Sequence, residues 1–268
     1  MTTIKEVLSI LHEPLHLGES IDHGVDSLKF GQLDTTIKGV AVTFIATIEV
    51  IEQAIALGVN LIITHEGTFY SHRDDYDFSL DQNPVFLAKK RLIDDSGMAI
   101  YRFHDYIHKH QPDGITEGLV CALGWQAYVT EMLTAATLIT LPAARTGLEV
   151  AEYLKRQLDI RYLRSSGDLS KACHRIGLFV GYRGGGPLTI PLFEQHRLDL
   201  IVYGEGPEWE TPEYVRDATH LGNNKALIVL GHAESEQPGM KLLAERLGPK
   251  LPEIPVYFIP IEHVLQVI

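Results

Sequence analysis

Three groups of histidine and carboxylate residues follow apolar runs in this sequence. Together they have the donor types of a transition-metal site. His65 and Glu66 come directly after Leu61-Ile62-Ile63-Thr64. His104 and His108 follow Met98-Ala99-Ile100-Tyr101, with His110 close behind. His232 and then Glu236 follow Leu227-Ile228-Val229-Leu230-Gly231. Imidazole combined with carboxylate suits Zn, Fe, Mn, Ni or Co rather than Ca. Each group alone fits a surface or capping pair equally well. Their joint placement predicts a common purpose, because side chains at the carboxyl ends of strands face the crevice where α/β proteins bind ligands.

Further residues extend this reading. Glu205, in Val202-Tyr203-Gly204-Glu205-Gly206, stands at another strand end. It is the candidate catalytic acid or base, and a solvated loop residue is the alternative. His232 and Glu236 are four residues apart, a spacing that shares one helix face. Pro238 and Gly239 argue against a helix from residue 232, so Glu236 is expected just before a helix starting near Pro238. A helix amino end there would favour its anionic form. Val180-Gly181-Tyr182-Arg183-Gly184-Gly185-Gly186 joins a strand to a helix. Such a turn can hold phosphate through backbone N–H groups. It matches neither GxGxxG nor a P-loop, and a plain tight turn has the same pattern. The polar loop 71–77 is either a cover for the site or simply solvated.

The elements that must carry these residues alternate. Thr3-x-x-Glu6 is a capping box, opening a helix with Ile4, Val7, Leu8 and Leu11 on one face. A strand over 40–46, a helix over 49–57 stopped by Gly58, and a strand over 61–63 form a βαβ unit. Asn83-Pro84 begins a helix to Leu92. A strand over 98–103 and a helix over 113–123 follow. Strands are expected at 136–141, 160–163, 176–180, 198–203, 226–230 and 256–259. Helices are expected at 147–158, 187–196, 212–221 and 240–247. Strands alternating with helices throughout predict an α/β fold. The stretch 163–168 is the weakest, and there is no short-period repeat.

Length and charge narrow the function classes. A chain of 268 residues has room for one large domain or two smaller ones. Its net charge of −12 disfavours nucleic acid as the main partner, since a phosphate-backbone binder needs a basic face. Neither Cys121 nor Cys173 belongs to a CxxC pair, and Cys121 reads as a core residue. Two unpaired cysteines, no secretory pattern at the N-terminus and no apolar run long enough to span a bilayer predict a soluble, cytoplasmic protein without a membrane partner.

The order of motifs resembles the NIF3 family (NGG1p-interacting factor 3-like proteins). Ile62-Ile63-Thr64-His65-Glu66-Gly67-Thr68-Phe69 is similar to the family's strand followed by His-His-Pro. Tyr101-Arg102-Phe103-His104-Asp105-Tyr106-Ile107-His108 resembles its His-Thr-Asn-Leu-Asp. Asp199 to Glu205 resembles its Asp-Leu-x-x-Thr-Gly-Glu/Asp, and Gly231 to Glu236 its Gly-His-x-x-x-Glu. The glycine turn lies where the family has Gly-Gly-Ser-Gly. The likeness runs from about residue 1 to 265.

The resemblance implies one NIF3-like α/β unit of two subdomains, near 1–125 plus 225–268 and 126–224, with a metal-binding cleft between them. It implies two divalent ions per chain (Zn, Fe, Mn, Ni or Mg) and a homohexameric ring. Matched by position, the ligands are His65, Glu66, His108, His232 and Glu236, with His104 as a substitute. Glu66 stands for a histidine and His108 for an aspartate, so the exchange keeps three imidazoles and two carboxylates. The expected function is a dinuclear metal-dependent hydrolase of a phosphate- or nucleotide-containing small molecule. Some members carry the name GTP cyclohydrolase I type 2 homologue. A non-catalytic metal-binding or interaction scaffold is the alternative.

Overall fold

Thr3 starts the first helix through a complete capping box. Its hydroxyl accepts from the Glu6 N–H, and the Glu6 carboxylate accepts from the Thr3 N–H at 2.7 Å. The computed structural model describes residues 1–13, 24–74 and 82–268. The elements in chain order begin α1 (Ile4–His12), β1 (Ser27–Phe30), β2 (Val40–Thr43), α2 (Ile48–Ala56), β3 (Leu61–Thr64), α3 (Pro84–Ser96) and β4 (Ala99–Arg102). Next come α4 (Asp105–His108), α5 (Gly114–Ala122), β5 (Val129–Met132), β6 (Thr137–Thr146), α6 (Gly147–Leu158), β7 (Arg164–Gly167) and β8 (Ala172–Leu178). The chain ends with α7 (Gly186–Gln195), β9 (Leu200–Tyr203), α8 (Thr211–His220), β10 (Ala226–Val229), α9 (His232–Leu247) and β11 (Val256–Phe258).

The described chain divides into two units, residues 1–114 with 240–262 and residues 115–239 with 263–268. The first unit holds a five-stranded sheet ordered β1-β4-β3-β2-β11. All neighbours are parallel except the edge strand β1. Every residue of β2, β3 and β4 is buried. A parallel strand covered on both faces explains why these segments read as unbroken apolar runs rather than alternating ones. Thr47 caps α2 by accepting from the Val50 N–H, and Asn83 caps α3 with Pro84 at its first turn. On one side of the sheet, Val50, Ile51 and Ala54 of α2 pack with Ile62, Ile93 and Ile100.

The second unit holds a six-stranded sheet ordered β5-β6-β8-β9-β10-β7. Its centre, β8-β9-β10, is parallel, and the flanking pairs are antiparallel. Phe179, Phe193, Ile201, Val215 and Leu227 lie in its core. Thr146 and Glu149 form a second capping box, at the start of α6.

The structure adds β1, α4 and β5, which the sequence reading did not include, and departs from that reading in three further places. No strand forms over 160–163. Instead the weak stretch supplies β7, an edge strand paired antiparallel with β10. Edge pairing uses backbone groups and needs no apolar side chains, so its Arg-Ser-Ser-Gly sequence gave no strand pattern. Cys121, expected in the core, is only half-buried, whereas Cys173 is buried.

The third departure is α9, which begins at His232 and runs through Pro238. A proline inside a helix forfeits one backbone hydrogen bond. At this point α9 crosses α5 closely within the second unit. A Cβ on Gly118 would lie 2.3 Å from the Gly239 Cα, and one on Gly239 would lie 2.5 Å from the Ile115 Cα. Glycine at both positions lets the two backbones touch. No helix among the described residues is long and apolar enough to cross a membrane.

Candidate metal centre

In the first unit the candidate donors stand at the carboxyl ends of adjacent parallel strands. His65 and Glu66 leave β3, and His104 and His108 follow β4 at the two ends of the one-turn helix α4. A four-residue helix cannot hold itself. The Asp26 carboxylate secures its start, accepting from the N–H groups of His104 (2.5 Å) and Asp105 (2.7 Å). One ring nitrogen from each of His65, His104 and His108 lies within 4.8 Å of the others. The His65 and His104 rings stack at 4.4 Å, and His108 meets both edge-on. His110 packs edge-on against Phe103.

All three rings are oriented through Nδ1. His65 Nδ1 donates to the Phe103 carbonyl at 3.2 Å, His104 Nδ1 to Asp105 at 2.8 Å, and His108 Nδ1 to Asp113 at 3.0 Å. With the proton on Nδ1, Nε2 carries the lone pair. Metal-binding histidines are held in this way, by an oxygen acceptor on the nitrogen that does not bind metal. Burial pushes the His104 pKa down to about 4, which keeps that ring neutral as a ligand must be. The hydrogen bond from His104 holds the Asp105 carboxyl well below the usual range. The donor set therefore fits a divalent cation.

Glu66 is placed differently from a simple ligand. Its Oε2 accepts from Arg102 Nη2 at 3.1 Å, and its Oε1 lies 3.6 Å from His104 Nε2. Arg102 is 0% exposed at the end of β4 and also donates through Nε to the His65 carbonyl at 3.2 Å. His72, from the 71–77 loop, approaches the same guanidinium, with its Nδ1 3.3 Å from Arg102 Nη2. Residues 75–77 of that loop lie outside the described residues.

In the second unit, Glu205 follows β9 and His232 follows the neighbouring β10, again at parallel strand ends. His232 Nδ1 lies 2.8 Å from Glu205 Oε1, so an oxygen stands at Nδ1 of this ring as it does in the first unit. His232 Nε2 lies 3.1 Å from Glu236 Oε2, one helical turn along α9. Glu236 is 3% exposed, and Glu205 is much more open. The pair is therefore a nitrogen and an oxygen donor side by side, with Glu205 behind the imidazole.

The glycine turn packs directly against that pair. A Cβ on Gly181 would sit 2.2 Å from Glu236 Oε1 and 3.1 Å from His232 Nε2. Its φ of +54° also favours glycine. Three of the turn's N–H groups are used internally. Gly181 N–H donates to Ser235 Oγ (2.9 Å), Gly184 N–H to the Glu205 carbonyl (3.0 Å), and Gly186 N–H to the Glu210 carboxylate (2.6 Å). The anion at the amino end of α7 is thus the chain's own Glu210.

Sequence reasoning passed over Arg102, Asp105, Asp113 and Gly181. For Asp105 and Asp113 a signal was present: each is an acidic residue within five positions of a candidate histidine. Arg102 gave a weaker one, as a charge in the last position of a buried apolar strand.

A two-unit α/β chain with oriented histidines at parallel strand ends defines a class, and comparison with known proteins gives its family. Residues 2–264 match the Duf34/NIF3 (NGG1p interacting factor 3) family, and the chain belongs to it. A Chlamydia trachomatis serovar D protein named GTP cyclohydrolase 1 type 2 homolog is 23% identical over 249 residues, covering 91% of this chain and 92% of its own. A Clostridium acetobutylicum protein of the same name is 24% identical over 255 residues, covering 91% and 89%. Among solved structures, a Staphylococcus aureus protein superposes with a TM-score of 0.78 at 18% identity, covering 100% of this chain and 99% of its own. A Bacillus cereus protein related to NIF3 gives 0.76 at 16% identity, covering 100% and 99%. These structural likenesses show the shared fold.

Proposed function

We propose that this protein is a dinuclear metal-dependent hydrolase acting on a phosphate- or nucleotide-containing small molecule. The observation that carries the reading is the common orientation of His65, His104 and His108, each with Nδ1 given to an oxygen so that Nε2 carries the lone pair. His65, Glu66, His108, His232 and Glu236 would hold two divalent ions, with His104 joining them. The inclusion of His232 and Glu236 rests on the order of the family motifs in the sequence. A bound divalent ion would polarise a substrate oxygen and make its water a nucleophile near neutral pH.

The chain's own residues would keep that site in register. Asp105 and Asp113 would fix the rings of His104 and His108. Glu205 would act through His232, because its carboxylate already lies 2.8 Å from the ring's Nδ1. In this reading Glu205 is a positioning residue, and the catalytic role expected from the sequence is the alternative. The amides of the glycine turn at 181, 184 and 186 are already taken and would not hold a substrate phosphate. That last observation also supports the alternative, a non-catalytic metal-binding scaffold.

A screen decides between them. Phosphomonoesters, phosphodiesters and GTP, the last suggested by the relatives' name, are tested with Mn, Zn, Fe and Mg. Hydrolysis that needs metal and disappears in His104→Ala and His232→Ala supports the enzyme. Metal binding with no turnover of any of these substrates supports the scaffold. Activity that survives His232→Ala belongs to a contaminant.

A further inference from the structure

Buried arginine needs partners, and those of Arg102 are instructive. Taking the guanidinium out of water costs several kcal/mol unless charges and hydrogen bonds replace the lost hydration. Here Nη2 donates to Glu66 Oε2 (3.1 Å), Nε donates to the His65 carbonyl (3.2 Å), and Nη1 donates to the His72 carbonyl. Nη1 also lies 3.9 Å from Asp74 Oδ2, which Lys29 Nζ approaches at 3.0 Å. Two cations and two carboxylates thus balance in the first unit, and three of the backbone or side-chain acceptors belong to residues 65, 66 and 72.

Glu66, His72 and His104 themselves form a group whose donor atoms lie within 4.8 Å of one another. A second ion could be sought there. The guanidinium already has that place, because the same Nη2 lies 3.1 Å from Glu66 and 3.3 Å from His72 Nδ1. A metal cation beside it would meet a fixed positive charge.

We infer that Arg102 is a positioning residue of the metal centre: it is the resident cation of the Glu66–His72–His104 group and holds Glu66 by Oε2, so that only Oε1 is turned towards His104. The inference rests on the metal-centre reading above. A carboxylate held in this way enters a coordination shell through one oxygen. A planar fork that also grips two backbone carbonyls does this, whereas a lysine would hold the carboxylate as a point charge and leave the carbonyls.

The test is Co(II) titration of metal-free protein, followed by visible absorption and affinity. Wild type, Arg102→Met, Arg102→Lys, Glu66→Gln and the Arg102→Met/Glu66→Gln double variant are compared. The expected result is a loss of about 10–100-fold in affinity with an altered band in both Arg102 single variants. In the Glu66→Gln background, Arg102→Met should add less than about threefold, because the two residues act as one unit. Arg102→Lys keeps the buried charge and carries the comparison if Arg102→Met does not fold. Wild-type affinity and band in the Arg102 variants would overturn the inference. So would an equal loss in both backgrounds, which marks a merely structural role. Absence of any Co(II) band in wild type would instead overturn the metal-centre reading, and the inference with it.

Discussion

Nδ1 of His232 lies 2.8 Å from Oε1 of Glu205, and Nε2 of the same ring lies 3.1 Å from Oε2 of Glu236. Removing the acceptor frees the ring to rotate and to change tautomer. Glu205→Ala is therefore expected to weaken metal binding by about 10–100-fold. Glu205→Gln, whose amide oxygen still accepts, should lose less. Competition titration against a zinc chelator measures both. Unchanged affinity in Glu205→Ala, with activity lost, would return Glu205 to the role of catalytic base.

Gly181 offers a steric test of the same pair. An alanine Cβ would stand 2.2 Å from Glu236 Oε1, and the glycine's φ of +54° adds backbone strain. Gly181→Ala should displace Glu236 and weaken metal binding. The strain alone should cost about 1 kcal/mol of stability. Thermal melting with metal titration checks both, and native affinity would show that the turn tolerates a side chain there.

The contrast between Gly181 and the capping boxes shows what the sequence could reveal. Thr3 with Glu6 and Thr146 with Glu149 act within three residues, so their helices were legible from local pattern. The fully buried strands β2, β3, β9 and β10 were legible as apolar runs. His65, His104, His108 and His232 were legible as site candidates because each follows such a run. The glycine turn stayed open between a phosphate loop and a plain tight turn, because its partner, Glu236, lies 55 positions away and no local pattern reports that contact. Pro238 argued against a helix, and the Gly118–Gly239 approach beside it is equally non-local. Arg102 looked like an ordinary strand-end charge until its partners at 65, 66 and 72 were in place.

Lys89 provides a pH prediction away from the candidate ligands. Its ammonium is buried, donates to the Thr68 carbonyl at 2.5 Å and lies over the Phe69 and Tyr70 rings. Burial pushes its pKa from 10.5 down to about 8. Between these values the unfolded chain binds more protons than the folded one, so stability rises with pH from about 8 to 10.5. Below about 8 the folded protein carries the full cost of the buried charge, on the order of 3 kcal/mol. Lys89→Met should flatten the rise. Denaturant melts at pH 7, 9 and 10.5 read it directly, and an identical slope in wild type and variant would contradict the assignment.

Metal content is the most direct measure of the central claim, that oriented histidines at the strand ends hold divalent ions. Protein purified without chelator is analysed by plasma mass spectrometry beside His65→Ala/His104→Ala and His65→Ala/His232→Ala variants. The account predicts about one or two divalent ions per folded wild-type chain and a clear loss in both variants. Less than one ion per chain, unchanged by either pair of substitutions, would contradict it.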